Sequence, residues 1–250
     1  MVVPYRQVAE LTDLTAEESA EVMALTQDCI AALKQRMNPD GFNVGINIGK
    51  NYDTPNERAV DDYLACFDKV YPHADYITVN ISSPNTVGLR DLQAADSLWG
   101  LLAPLAERRE ELLTSTDRRV PIAVKVAPDL DDDGITALAR VIDKAGMDAV
   151  IATNTTIDRA PVAGLKHADE AGGLSGAPLK AKADHVLKQL RRALPEEVAM
   201  IGVGGITRGE DAVDKLKLGA DLVQFYTGLV YRGPELVDEC LRAIADWRAE

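Results

Sequence analysis

The sequence predicts an α/β protein built on a parallel sheet, and two observations carry that expectation. Six short runs rich in Val and Ile, each of strand length and each ending in turn residues, recur from Phe42 to the C-terminus. Between them lie longer segments with helical spacing and helix-forming composition. Strand, helix, strand at steady intervals gives βαβ units with right-handed crossovers. The alternation alone leaves two architectures open, a (β/α)8 barrel and an open doubly wound sheet.

In order, the expected strands are Asn43–Gly49 (NVGINIG), Tyr76–Ser82 (YITVNIS), Pro121–Ala127 (PIAVKVA), Ala149–Asn154 (AVIATN), Ala199–Gly205 (AMIGVGG) and Asp221–Tyr226 (DLVQFY). Helices are expected over Ala59–Val70, Leu92–Leu113, Gly134–Lys144 and Leu179–Leu194. The first forty residues differ. Thr15-Ala16-Glu17-Glu18 reads as a capping box, in which the threonine oxygen accepts from the N3 amide and Glu18 reaches back. Val22, Leu25, Cys29, Ile30, Leu33 and Met37 then form one apolar stripe, and Asn38-Pro39-Asp40-Gly41 stops the helix. Two βα units need roughly 60 residues, so this region holds one helix and at most a stub of strand near Val2 and Val3.

Bulk properties narrow the function classes. The 250 residues suffice for one α/β barrel. Forty acidic against 27 basic side chains give a net charge of -13, which argues against nucleic acid as a partner. Cys29, Cys66 and Cys240 lie far apart, without disulfide or zinc spacing, which fits a reducing cytosol. His73, His167 and His185 are equally scattered and read as surface or packing residues. The N-terminus has no signal-peptide pattern, and no apolar run reaches the ~20 residues of a membrane span.

Chemistry enters where polar residues interrupt the apolar strands. Asn47, Asn80, Lys125 and the pair Thr153-Asn154 each fall toward the C-terminal end of a different strand. Burying an amide or ammonium without a partner costs several kcal/mol, so four successive interruptions describe the ligand-binding mouth of a parallel barrel. Lys125 shares a strand face with Ala123 and opposes the valines; it reads either as a lysine snorkelling from the strand edge or as a fixed positive charge facing an anionic ligand. Glycines at Ile201-Gly202-Val203-Gly204-Gly205-Ile206 and the end Phe225-Tyr226-Thr227-Gly228 suit a phosphate. Gly172-Gly173-Leu174-Ser175-Gly176 adds a third loop, which either closes over that phosphate or is plain surface. Asn80-Ile81-Ser82-Ser83-Pro84-Asn85-Thr86 places hydroxyls at a strand end, yet no His and Asp pair is evident to activate them, and composition alone favours an ordinary turn.

The motifs GINIGKN, NISSPNTVGLR, IAVKVAPDL, VIATNTT, GGLSG, IGVGGI and FYTG occur here in the order that resembles the class 2, quinone-dependent dihydroorotate dehydrogenases. The resemblance runs from Phe42 nearly to the C-terminus. It implies a TIM-type (β/α)8 barrel, of which strands 3–8 are recognisable and strands 1–2 are missing. It also implies oxidation of dihydroorotate to orotate in pyrimidine (UMP) biosynthesis, with FMN as hydride acceptor and a membrane quinone as final acceptor. Matched by motif, Ser83 falls on the catalytic base that removes the C5 proton; class 1 enzymes have cysteine there. Asn47, Asn80, Lys125 and Thr153 fall on flavin contacts, and Asn80, Asn85, Asn154 and Thr155 on substrate contacts. Gly176, Gly205, Tyr226 and Thr227 fall around the FMN phosphate. No metal is implied.

The resemblance stops short at the N-terminus. The family's membrane-facing helices and first two strands find no counterpart, so residues 1–41 read as an unmatched helical segment and 42–250 as a partial FMN-binding barrel. Open edges predict impaired flavin and substrate binding, with partial closure by the chain's own N-terminus or repair by self-association as the alternatives. The expected location is cytoplasmic; the family's peripheral attachment to the cell membrane uses a segment not recognised here. Two rival readings remain. One is another FMN-dependent pyrimidine oxidoreductase, against which Ser83 and the lack of iron–sulfur cysteine spacing argue. The other is an inactive remnant that binds FMN or phosphate ligands without chemistry.

Overall fold

The structure, a computed structural model, describes residues 43–250 and positions 15, 17, 21, 24, 25, 27, 28, 31, 32, 34 and 35. The described positions from 17 to 35 are helical and exposed, which agrees with the expected N-terminal helix. Glu18, the rest of the apolar stripe apart from Leu25, the Asn38–Gly41 stop and the strand stub near Val2 lie outside the described residues.

Six parallel strands form one sheet in strictly sequential order: β1 (Gly45–Ile48), β2 (Tyr76–Asn80), β3 (Ile122–Val126), β4 (Ala149–Ala152), β5 (Ala199–Val203) and β6 (Leu222–Gln224). Each lies inside the run expected for it. The helices α1 (Ala59–Val70), α2 (Ala95–Thr116), α3 (Asp132–Lys144) and α4 (Lys180–Ala193) follow the first, second, third and fourth strands. Three more complete the chain: α5 (Gly209–Lys217), α6 (Thr227–Arg232) and α7 (Glu235–Ala249). Sequential parallel strands with helices between them make a half-barrel, an incomplete TIM-type α/β barrel. The open-sheet alternative is thereby set aside. Among the described residues, β1 and β6 each have a strand neighbour on one side only.

Strand alternation decides what faces where. Ile77 and Val79 of β2, Ile122, Val124 and Val126 of β3, Val150 and Ala152 of β4, and Met200 of β5 point into the helix-side core. There they meet Tyr63 and Phe67 of α1, Leu98, Leu101, Leu102 and Leu105 of α2, Leu138 and Ile142 of α3, and Leu187 and Leu190 of α4. Burying each such side chain contributes about 1.5–3 kcal/mol, which is why these helices lie where they do. Helix α3 starts at an Asp131 side chain that accepts from the Gly134 amide at 2.8 Å. A smaller core of Ile206, Ala212, Leu236 and Cys240 joins α5 and α7 beneath the last strands.

Register at the bottom of the sheet is pinned by a repeated device. Asp75, Asp148 and Asp221 each precede a strand. Their carboxylates accept the backbone amides of Val44 at 2.7 Å, Ile122 at 2.8 Å and Met200 at 2.7 Å. Each aspartate amide in turn donates to the carbonyl of that same partner. Val44 leads into β1, Ile122 opens β3 and Met200 lies in β5, so the rings join β1 to β2, β3 to β4 and β5 to β6.

Candidate active site

The other face of the sheet carries the polar residues. Asn80 of β2 stands in register with Lys125 of β3, and Lys125 with Ile151 of β4. One level below, Asn47 pairs with Thr78, and Thr78 with Ala123. Asn47, Asn80 and Lys125 therefore share the face opposite the helices, as the interrupted strands predict. Asn47, on an outer strand, is exposed, while Lys125 is half-buried. Burial pushes the Lys125 ammonium below the ordinary lysine value, and among the described residues no carboxylate opposes the shift. A cation held out of water without a partner is a place for a negative or electron-rich ligand.

Around Asn80 the side chains form a closed network. Ser82, fully buried, donates its hydroxyl to Asn80 Oδ1 at 2.9 Å and accepts from Asn154 Nδ2 at 3.0 Å. Asn154 Oδ1 then accepts the Thr155 amide at 2.8 Å. From the helix side, the Tyr63 hydroxyl donates to the Asn80 carbonyl at 2.8 Å, and burial holds that phenol protonated far above its ordinary range. The two adjacent serines thus differ. Ser82 is saturated, whereas Ser83 is only half-buried and its Oγ accepts one amide, that of Asn85 at 3.3 Å. Among the described residues no histidine or carboxylate bonds Ser83.

One guanidinium ties three loops together. Arg90 donates to the Ser82 carbonyl at 3.0 Å, to Asp129 at 2.7 Å and to the Thr155 carbonyl at 2.8 Å. Asp129 also accepts from Thr156, Ile157 and Lys182. These contacts hold its carboxyl below the usual value against the opposing effect of burial, which is the largest single influence on it. Sequence reasoning missed Arg90, Asp129 and Ser82. Arg90 and Asp129 sit inside NISSPNTVGLR and IAVKVAPDL, but their partners outside those motifs lie 27 to 65 residues away.

At the β5 and β6 ends the construction changes. Gly204 and Gly205 adopt φ +103° and +76°, and a Cβ on Gly205 would meet Lys180 Cβ at 2.4 Å. Gly176, at φ +79°, abuts the Thr227 methyl, and Thr227 Oγ1 donates to Ser175 Oγ at 2.9 Å. The loop after β4 folds back through an antiparallel bridge between Thr156 and Leu174, which brings Gly176 to Thr227. Tyr226 is 65% exposed at the rim. An open cleft lined by Gly173, Ser175, Gly176, Thr207, Arg208 and Thr227 runs beside these residues. Thr153, buried, links the two ends: its amide donates to the Val203 carbonyl at 3.1 Å. Asn85 is exposed at the mouth beside the Gly172 backbone. All three histidines lie on the surface, and His185 pairs with Asp132.

Among the described residues no cluster of His, Cys, Asp or Glu suits a metal ion, and no helix is long and apolar enough to cross a membrane.

Comparison with known proteins points the same way. The profile of the family described as Dihydroorotate dehydrogenase matches residues 18–247. A dihydroorotate dehydrogenase (quinone) from Azotobacter vinelandii is 58% identical over 207 residues, 83% of this chain and 60% of that protein. The protein of the same name from Stenotrophomonas maltophilia is 61% identical over 201 residues, 80% of this chain and 57% of its own length. A crystal structure of ligand-free DHODH from Eimeria tenella superposes with a TM-score of 0.78 at 34% identity, covering 89% of this chain and 64% of that one. The same enzyme in complex with ferulenol gives 0.74 at 37% identity, over 81% of this chain and 58% of that one. This chain therefore spans about 60% of the length of the curated relatives it matches. With its polar half-barrel and this degree of identity, the chain belongs to the dihydroorotate dehydrogenase family, in its quinone-dependent class.

Proposed function

We propose that this chain oxidises dihydroorotate to orotate for pyrimidine biosynthesis, using FMN as hydride acceptor and a quinone as final acceptor. The observation that carries the reading is the half-buried Lys125, without a partner among the described residues, beside Asn80 on the same mouth as Ser83 and Asn154. The residues fit FMN. Asn47, Asn80, Lys125 and Thr153 would hold the ring, and Gly176, Gly205, Tyr226 and Thr227 its phosphate. When bound, FMN supplies the hydride acceptor; the chain supplies position and charge. Lys125 keeps positive charge at the ring edge. Asn80, Asn85, Asn154 and Thr155 orient the substrate, and Ser83 removes the C5 proton. A hydroxyl is a weak base, and the Asn85 amide donated to Ser83 Oγ favours its deprotonated form.

Quinone, and peripheral contact with a membrane, are carried from the resemblance. The one-sided edges of β1 and β6 offer pairing to a second copy, readable as a dimer by light scattering.

The test is to purify the chain, record its flavin absorbance and add dihydroorotate without oxygen. Bound flavin that bleaches, and a dye reduced in proportion to orotate formed, is the expected result. Flavin that binds but does not bleach supports the binding-only alternative. A chain that takes up no FMN overturns the proposal.

A further inference from the structure

We infer that Lys215 is a positioning residue for the glycine turn at the end of β5, and that through this turn it sets a preference for a phosphorylated over an unphosphorylated flavin. The inference rests on the flavin reading above and adds a residue to which neither motif nor resemblance assigns a role. Lys215 lies on α5, on the helix side of the sheet, and none of its surface is exposed. Its stem crosses β5 where the strand lacks a side chain: a Cβ on Gly202 would stand 3.0 Å from Lys215 Cβ and 3.1 Å from Ala220 Cβ.

The ammonium ends on the backbone. Lys215 Nζ donates to the Val203 carbonyl at 3.2 Å. Asp184 Oδ1 lies 2.7 Å from the same nitrogen, so the ammonium is shared between that carboxylate and the Val203 carbonyl. The Val203 carbonyl also accepts the Thr153 amide at 3.1 Å. A carbonyl held from two sides fixes the plane of the peptide that enters Gly204. The next two residues both have positive φ, so the directions of their amides follow from that plane. Gly205, matched to the FMN phosphate, is one of them. On its flank Lys180 closes the space a side chain would need.

Two other accounts of Lys215 are weaker. A long stem that snorkels to water is excluded by its complete burial. A general field attracting phosphate is opposed by the surrounding charge. Asp184 joins both Lys215 and Lys180, Asp214 and Asp211 stand 3.0 Å and 3.9 Å from Lys180, and Arg208 lies 3.6 Å from Asp211. The cations are thus locally matched by carboxylates. Filling this space needs only a methionine, without the cost of desolvating an ammonium. What lysine adds is the hydrogen bond to Val203.

FMN and riboflavin differ only in the phosphate, so titrating the full chain with each by flavin fluorescence isolates the turn. Lys215→Met is expected to weaken FMN binding about tenfold and riboflavin binding less than about twofold. Asp184→Asn keeps the lysine–carbonyl bond and is expected to hold the FMN-to-riboflavin ratio within about twofold of the parent. Should Lys215→Met fail to fold, Lys215→Met with Asp184→Leu leaves no unpaired buried charge and is expected to show the same loss of preference. Equal losses for the two flavins, or an unchanged ratio, overturn the positioning role while leaving the flavin reading intact. A parent chain that binds neither flavin overturns both.

Discussion

At the β1–β4 end of the mouth the polar groups are side chains held by other side chains, through Asn80, Ser82, Asn154 and Arg90. At the β5–β6 end they are backbone groups, placed by the absence of side chains at Gly176, Gly204 and Gly205. The first construction selects by hydrogen-bond pattern and tolerates little loss of a partner. The second depends on shape, and a single methyl defeats it. A planar, polar ring and a rounded anion ask for these two kinds of surface respectively.

Four substitutions test that contrast. Ser83→Ala should lower dihydroorotate-driven flavin bleaching by about 10²–10⁴-fold in stopped flow, the usual worth of a general base, with FMN affinity unchanged. A loss of FMN instead would move Ser83 from chemistry to binding. Next in size, Gly205→Ala meets both a left-handed φ of 76° and a contact of 2.4 Å, so it should cost about 3 kcal/mol in denaturant unfolding and lose FMN. A neutral result would mean that the turn yields easily. Ser82→Ala leaves Asn154 Nδ2 without its nearest partner and Asn80 Oδ1 short of one, and should cost about 2 kcal/mol.

The smallest effect runs the other way. Lys125→Met should stabilise the ligand-free chain, on the order of 1 kcal/mol, while weakening FMN. Because burial lowers the native pKa of Lys125 beneath the unfolded one, the unfolded chain binds more protons in the interval between them. Stability of the parent should therefore rise with pH through that window below lysine's ordinary value, and be lowest beneath it. The Met variant should lack this rise. Thermal melts of both across alkaline pH decide the matter, and identical profiles would refute it.

Much of this was legible in one sequence. Every strand core fell within an expected run, because a parallel sheet covered by helices needs continuous apolar stretches. Lys125 and Asn80 were visible for the same reason, as polar residues where apolar ones belong. The difference between Ser82 and Ser83 was not legible, because adjacent hydroxyls in a turn read alike until Asn154 arrives from 72 residues away. Lys215 was hidden too. On a short charged helix it resembles a solvated side chain, and only the missing Cβ of Gly202 shows where it goes. Helices α5, α6 and α7 were not among the segments named from the sequence, although α5 and α7 each bury an apolar face; α6 is only six residues long.

The aspartate rings at the bottom of the sheet give the molecule a period longer than its strand–helix alternation. Their carboxylates stand at 75, 148 and 221, evenly 73 residues apart, and their partners at 44, 122 and 200 are evenly spaced as well. No such ring closes the joints between β2 and β3 or between β4 and β5 among the described residues. The half-barrel is thus metrically a three-beat repeat of two-strand modules. A break at either unringed joint would leave every ring whole, though at the β2–β3 joint it would sever the Arg90–Asp129 pair and the bonds from Arg118 to the Tyr71 and Ala74 carbonyls.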